Sequence, residues 1–226
     1  MIRFEQVFKR YAGGHDALAG ISLAVDAGEM VFLTGHSGAG KSTLLKLVAL
    51  LERPSRGQVV VNGRNTASLP RRQIPEFRRQ IGIVIQDHKL LNDRSIFENV
   101  ALPLVIAGMR RKELGKRARA ALDSVGLLKA EKKRPVELST GEQQRVGIAR
   151  AVVSKPKLLI ADEPTGNLDP ALSVDIMRLF GRFNDVGVTV LIASHDLHLI
   201  EQLGHRRIAL KDGQVVHPRE VAPDVA

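Results

Sequence analysis

The stretch Gly35-His36-Ser37-Gly38-Ala39-Gly40-Lys41-Ser42 fits the pattern of a phosphate-binding loop. An apolar run, Met30 to Thr34, precedes it and a helical pattern from Lys41 to Leu51 follows, which is the strand, loop, helix context such a loop requires. Glycines let the backbone curl until successive N–H groups point inward at phosphate oxygens, and the helix N-terminus beyond adds partial positive charge. Lys41 is placed to neutralise β- and γ-phosphates, Ser42 to offer a hydroxyl to Mg²⁺. The bland alternative, a glycine-rich turn that happens to precede a helix, is disfavoured by both flanks.

Working outward, Ile81 to Ile85, Leu158 to Ala161 and Val188 to Ala193 are further short apolar runs flanked by helical patterns. Strands of a parallel sheet covered on both faces look like this, so the expected class is α/β. Val59-Val60-Val61 before Asn62-Gly63 reads as a strand entering a tight turn, hence a small antiparallel sheet in the N-terminal part. Between Asp93 and Val153 the pattern is helical, which suggests a subdomain inserted into the α/β core. Arg207 to Leu210 and Gln214 to His217 flank Asp212-Gly213 as a closing hairpin, and Pro218 to Ala226 reads as a loose tail. The expected division is one domain over 1–226: a core of 1–86 and 155–217, a helical subdomain of 87–154 and the tail 218–226.

Leu158-Leu159-Ile160-Ala161-Asp162-Glu163 delivers two adjacent carboxylates at the end of an apolar strand. One suits a metal and the other a water: Asp162 would hold Mg²⁺, while Glu163 would orient and deprotonate the attacking water. Two solvated strand-end acids are the competing reading, which the phosphate loop in the same chain disfavours. Ser139 and Glu142, in Leu138-Ser139-Thr140-Gly141-Glu142-Gln143-Gln144-Arg145, have the spacing of a capping box at a helix start. That helix N-terminus, with its Ser hydroxyl and Gly amide, also suits an anion, and structure alone could account for either feature.

With 226 residues, 44% of them hydrophobic, the chain is long enough to bury a substantial core. The absence of cysteine, and the alternation of apolar and charged residues from Met1 in place of a signal peptide, point to the cytoplasm. Val100 to Met109, interrupted by Pro103, is too short for a membrane span, so membrane association is expected through a partner or a surface. The net charge of +10 gathers in Arg71 to Arg79, Arg110 to Arg119 and Lys129 to Arg134. Nucleic acid, anionic lipid and phosphates are candidate partners for it, as are plain solvated helix faces. Few aromatics accompany the charge, and no nucleic acid is expected.

Taken in order, the phosphate loop, Gln86 after a strand, Leu138 to Glu142, Asp162-Glu163, Gly166-Asn167-Leu168-Asp169 and strand-end His195 resemble the ABC ATPases. The resemblance runs from Met1 to about Gln214 and lies with the cell-division branch of that family. Its long stretches include Gly28-Glu29-Met30, Arg78-Arg79-Gln80-Ile81-Gly82 with Gln86-Asp87-His88, Gly141 to Ala151, and Gly187-Val188-Thr189-Val190.

The resemblance implies a P-loop NTPase (RecA-like) core with an antiparallel β subdomain and an ABC-type α-helical subdomain. It implies ATP and Mg²⁺ as cofactors, hydrolysis to ADP and phosphate, and a homodimer formed on ATP binding. ATP would lie between Gly35, His36, Ser37, Gly38, Ala39, Gly40, Lys41, Ser42 and Thr43 of one subunit and Ser139, Gly141 and Glu142 of the other. Tyr11 would stack on adenine and Asp169 would link the two sites. Ser42, Gln86 and Asp162 would serve the metal, with Glu163, His195 and Gln86 in catalysis. An integral membrane partner, further cytoplasmic division proteins and a peripheral place on the inner membrane at the septum are implied as well. The branch's output is a mechanical signal to periplasmic peptidoglycan hydrolases. Powering an exporter or a lipoprotein-release complex is the alternative within the family. A DNA-associated clamp is disfavoured, since neither a long heptad segment nor a cysteine zinc module is present. One departure stands out: Thr140 occupies the position of the signature's first glycine, where a branched side chain restricts the backbone.

Overall fold

Side chains along a strand alternate between its two faces, and in this protein that alternation divides the apolar residues into two cores. Met30, Phe32, Leu159, Ala161, Val190 and Ile192 point into one, and Val31, Leu33, Leu158, Ile160, Leu191 and Ala193 into the other. The strands between them are buried on both sides, which is why they read as unbroken apolar runs.

The computed structural model describes residues 1–216. The tail expected from Pro218, and His217 of the last expected strand, lie outside the described residues. The strands are β1 (Ile2–Arg10), β2 (Asp16–Val25), β3 (Met30–Thr34), β4 (Arg56–Val61), β5 (Arg64–Asn65), β6 (Ile81–Ile85), β7 (Leu158–Asp162), β8 (Thr189–Ala193), β9 (Arg206–Lys211) and β10 (Gln214–Val216). The helices are α1 (Lys41–Val48), α2 (Ile74–Arg78), α3 (Ile96–Ile106), α4 (Arg111–Ser124), α5 (Thr140–Val152), α6 (Pro170–Asp185) and α7 (Leu197–Leu203).

One sheet has six strands in the order β10-β9-β3-β8-β7-β6, parallel except for β10, and a second has four in the order β2-β1-β4-β5, antiparallel. Helix α1 and the antiparallel sheet cover one face of the larger sheet; α3 to α7 supply the cluster on the other. The helical block therefore shares one continuous apolar cluster with the sheet. Asn62 and Gly63, both left-handed at φ 50° and 74°, make the tight turn between β4 and β5.

One local expectation needs correction, and one strand pair went unread. Apolar residues continue through Leu51, yet α1 ends at Val48: Leu50 turns left-handed at φ 53°, and its carbonyl accepts from Arg78 Nη2 at 2.7 Å. In β1, part of the antiparallel sheet with β2, the alternation that starts at Ile2 breaks after Glu5, because β1 is bulged. Phe4 and Val7 both face the core, and Gln6 between them takes φ 47°.

Candidate functional site

Parallel register brings the carboxyl ends of β6, β7 and β8 level, with Ile85 opposite Asp162 and Asp162 opposite Ala193. The residues that follow, Gln86, Glu163 and His195, are thereby gathered at one edge beside the loop that leaves β3, where open α/β sheets place their ligands.

The loop itself is moulded from outside. Gly35, Gly38 and Gly40 have φ of 142°, 83° and 106°, and a Cβ on Gly35 would collide with the Leu210 carbonyl oxygen. A Cβ on Gly40 would stand 2.7 Å from Ala17 O. Gly213 N–H donates to Ala39 O at 3.2 Å while Gly213 O accepts from Ala19 N–H at 2.8 Å, so β2 and the β9–β10 turn grip the loop together. No side chain caps α1, leaving its first amides to a ligand. The buried Lys41 ammonium donates to Gly35 O at 2.6 Å and His36 O at 3.2 Å.

Ser42 Oγ donates to Asp162 Oδ1 at 3.0 Å. Glu163 is left-handed at φ 47°, a conformation that costs a non-glycine residue about 1 kcal/mol or more and recurs at functional positions. Its two oxygens divide between partners, Oε1 lying 3.7 Å from Lys41 Nζ and Oε2 2.8 Å from His195 Nδ1. The carboxylate is largely shielded while the imidazole is 70% exposed, so His195 presents its other edge outward. A cavity of about 640 Å³ lies over these groups, lined by Tyr11, Ser37 to Thr43, Gln86, Glu163 and His195. Tyr11 reaches Thr43, hydroxyl to hydroxyl, at 3.5 Å. His15 and Ala17 also line the cavity. Neither carried a sequence signal, because they arrive from the β1–β2 connection and the first residues of β2.

Ser139, Gly141, Glu142 and Asp169 do not line that cavity. Ser139 and Glu142 make both halves of the capping box at α5: Ser139 Oγ accepts from Glu142 N–H at 3.3 Å, and Glu142 Oε2 accepts from Ser139 N–H at 2.9 Å. The Ser139 N–H and hydroxyl, each donating to Glu142 Oε2 at 2.9 Å, hold that carboxyl below its ordinary pKa. Asp169 Oδ1 accepts from Leu172 N–H at 3.0 Å and caps α6. Ser139, Thr140 and Asp169 are exposed, while Gly141 is buried. Arg145 and Asp175, at 3.7 Å, tie α5 to α6.

Among the described residues no group of three or more His, Asp or Glu could hold a metal alone. A serine hydroxyl beside one carboxylate is instead a donor set for a hard cation that keeps water and takes the rest of its oxygens from phosphate, which fits Mg²⁺.

The family model described as ABC transporter matches residues 18–166. The chain belongs to the ABC transporter family. It is an ABC-type ATPase. The chain is 57% identical over 215 residues to the cell division ATP-binding protein FtsE of Escherichia coli K12, covering 95% of this chain and 97% of that protein. It is 52% identical over 214 residues to FtsE of Haemophilus influenzae, covering 94% and 98%. The solved dimeric ATP-binding cassette MJ0796, in a post-hydrolysis state bound to ADP and Pi, superimposes with a TM-score of 0.87 at 36% identity, covering 96% of this chain and 97% of that one. The α/β architecture is thus the fold of ABC cassettes, as the sequence led one to expect. No helix among the described residues is long and apolar enough to cross a membrane.

Proposed function

We propose that this chain is the ATP-hydrolysing subunit of a complex with the integral membrane protein FtsX, coupling ATP turnover to bacterial cell division. The observation that carries the two-chain arrangement is the separation described above. Ser139 and Gly141 lie outside the cavity that Lys41, Glu163 and His195 share. A second copy is the simplest source of the missing half, placed head to tail, so that each nucleotide sits between one copy's phosphate loop and the other's α5. The dimeric state of MJ0796 and the exposure of Ser139 and Asp169 support this reading.

In this arrangement the loop from Gly35 to Thr43 binds phosphates, Tyr11 packs on the base and Asp169 bridges the two sites. Ser42, Asp162 and Gln86 would hold Mg²⁺, which neutralises phosphate charge when bound. Glu163 takes the proton of the attacking water, and His195 holds that carboxylate in place through the 2.8 Å bond. Lys41 releases its loop carbonyls for the nucleotide's phosphates. The work goes to FtsX at the inner membrane of the septum, and through it to peptidoglycan hydrolases; other cytoplasmic division proteins join the assembly. The identity to FtsE of two bacteria supports the division role.

Affinity purification of the tagged chain from membranes tests it. Recovery of FtsX is expected, and recovery of an exporter permease in its place would overturn the division role while leaving the ATPase intact. Sedimentation of Glu163→Gln with and without ATP tests the dimer, and an unchanged monomer would count against it.

A further inference from the structure

Gln86 leaves β6 into the nucleotide cavity, and the chain immediately beyond it is held in an unusual way. His88 and Lys89 are both left-handed, at φ 51° and 47°, two consecutive non-glycine residues in a conformation that sequence alone disfavours. Their carbonyls converge on a single group. Arg150 Nη1 donates to Lys89 O at 2.9 Å and Nη2 donates to His88 O. Among the described residues Arg150 makes no ion pair with a carboxylate, and burial pulls its pKa down. An arginine with no acid, spent on two backbone oxygens, is there for what those oxygens fix.

Its own position is fixed in turn. Arg150 sits in the last turn of α5, and the neighbouring Ala151 carbonyl oxygen stands 2.6 Å from where a Cβ on Gly82 of β6 would be. Only a glycine allows that approach, so the end of α5 and strand β6 form one tight unit. The side chains of His88 and Gln144 adjoin each other as a second meeting of loop and helix, but the two hydrogen bonds of Arg150 are the ones that hold the loop's carbonyls.

We propose that Arg150 is a positioning residue: by holding the carbonyls of His88 and Lys89 to α5, it sets where Gln86 stands in the nucleotide cavity. The opposite end of α5 begins at Ser139, so the helix that meets the other copy also governs Gln86. The inference rests on the reading of Gln86 as a nucleotide-site residue.

A double-mutant cycle on the full chain tests it, using Arg150→Met, Gln86→Ala and the pair, with kcat and KM for ATP measured for each. Arg150→Met should lower kcat about tenfold and leave KM for ATP nearly unchanged, and it should cost almost nothing further once Gln86→Ala is present. Arg150→Lys, which keeps the charge and one donor, should recover part of the rate and stands in should the methionine variant fold poorly. Independent, multiplying effects of the two substitutions would overturn the proposal, as would a normal kcat in Arg150→Met beside a lowered one in Gln86→Ala. If Gln86→Ala alone leaves kcat unchanged, the reading of Gln86 falls first and the coupling falls with it.

Discussion

A methyl carbon of Leu172 lies 3.0 Å from where a Cβ on Gly141 would stand. Gly141 lies in the first turn of α5 and Leu172 in the first turn of α6, and the Leu172 amide is the one that Asp169 caps. The two segments read as facing a second copy are thus packed on each other within one chain.

Gly141→Ala should consequently separate effects on rate and on stability. Alanine favours the helix by about 1 kcal/mol over glycine, and the half-buried Leu172 can yield a few tenths of an ångström, so the melting temperature should hardly move. Steady-state ATPase should fall about tenfold, because the small yield of Leu172 alters the α5–α6 contact beside the proposed second-copy site. A full rate would show that their spacing is not used.

Glu163→Gln removes the group that takes a proton from water but keeps its size. Turnover should drop by at least ~10²-fold while ATP is still bound. Single-turnover measurements with excess enzyme would decide the matter, since a Gln variant within tenfold of the parent would assign the base elsewhere.

The fully buried Asn99 carboxamide accepts from Leu91 N–H at 2.7 Å and donates to Leu91 O and Ser95 O at 3.0 Å each, lacing the loop before α3 to the helix. Asn99→Ala unpairs these groups and should cost about 2 kcal/mol. In thermal unfolding that corresponds to a fall of roughly 4–8 °C for a chain of this size.

Acid should act on the capping boxes. Hydrogen bonds from Ser95 to Glu98, and from Ser139 to Glu142, lower both carboxyl pKa values from the ordinary 4.5. A lowered folded pKa means that the unfolded chain binds protons first, so the stabilisation is whole above pH 4.5 and is lost as pH falls through the folded values. Glu98→Gln should be less stable than the parent at neutral pH, with the difference narrowing below pH 4.5. A constant gap in denaturant midpoints across that range would refute the assignment.

What sequence disclosed was what local pattern carries. The phosphate loop, the runs Met30 to Thr34 and Leu158 to Ala161, and the Ser139 and Glu142 spacing each state their structure within a few residues. The bulge at Gln6 broke the period that would have shown β1, and no local rule forecasts a left-handed Leu50 at the end of α1. Long-range facts came only through the family resemblance, which set His195 to support Glu163. Nothing in the neighbourhood of Glu163 says that His195 will stand 2.8 Å away, because that follows from β7 and β8 lying side by side. The same holds for His15 in the cavity and for Arg150 beneath His88.

The grip on the phosphate loop bears on synthesis. Residues 35–40 take their shape against Ala17 behind them and against Leu210 and Gly213 ahead, the latter made last among the three. A nascent chain that has already emitted Lys41 and Glu163 thus still lacks the mould for its loop, since domains build as units while the ribosome elongates them. The loop's outer support is completed near the close of translation, and a chain stalled before residue 210 would carry the motif and the residues that line the cavity without the contacts from Leu210 and Gly213.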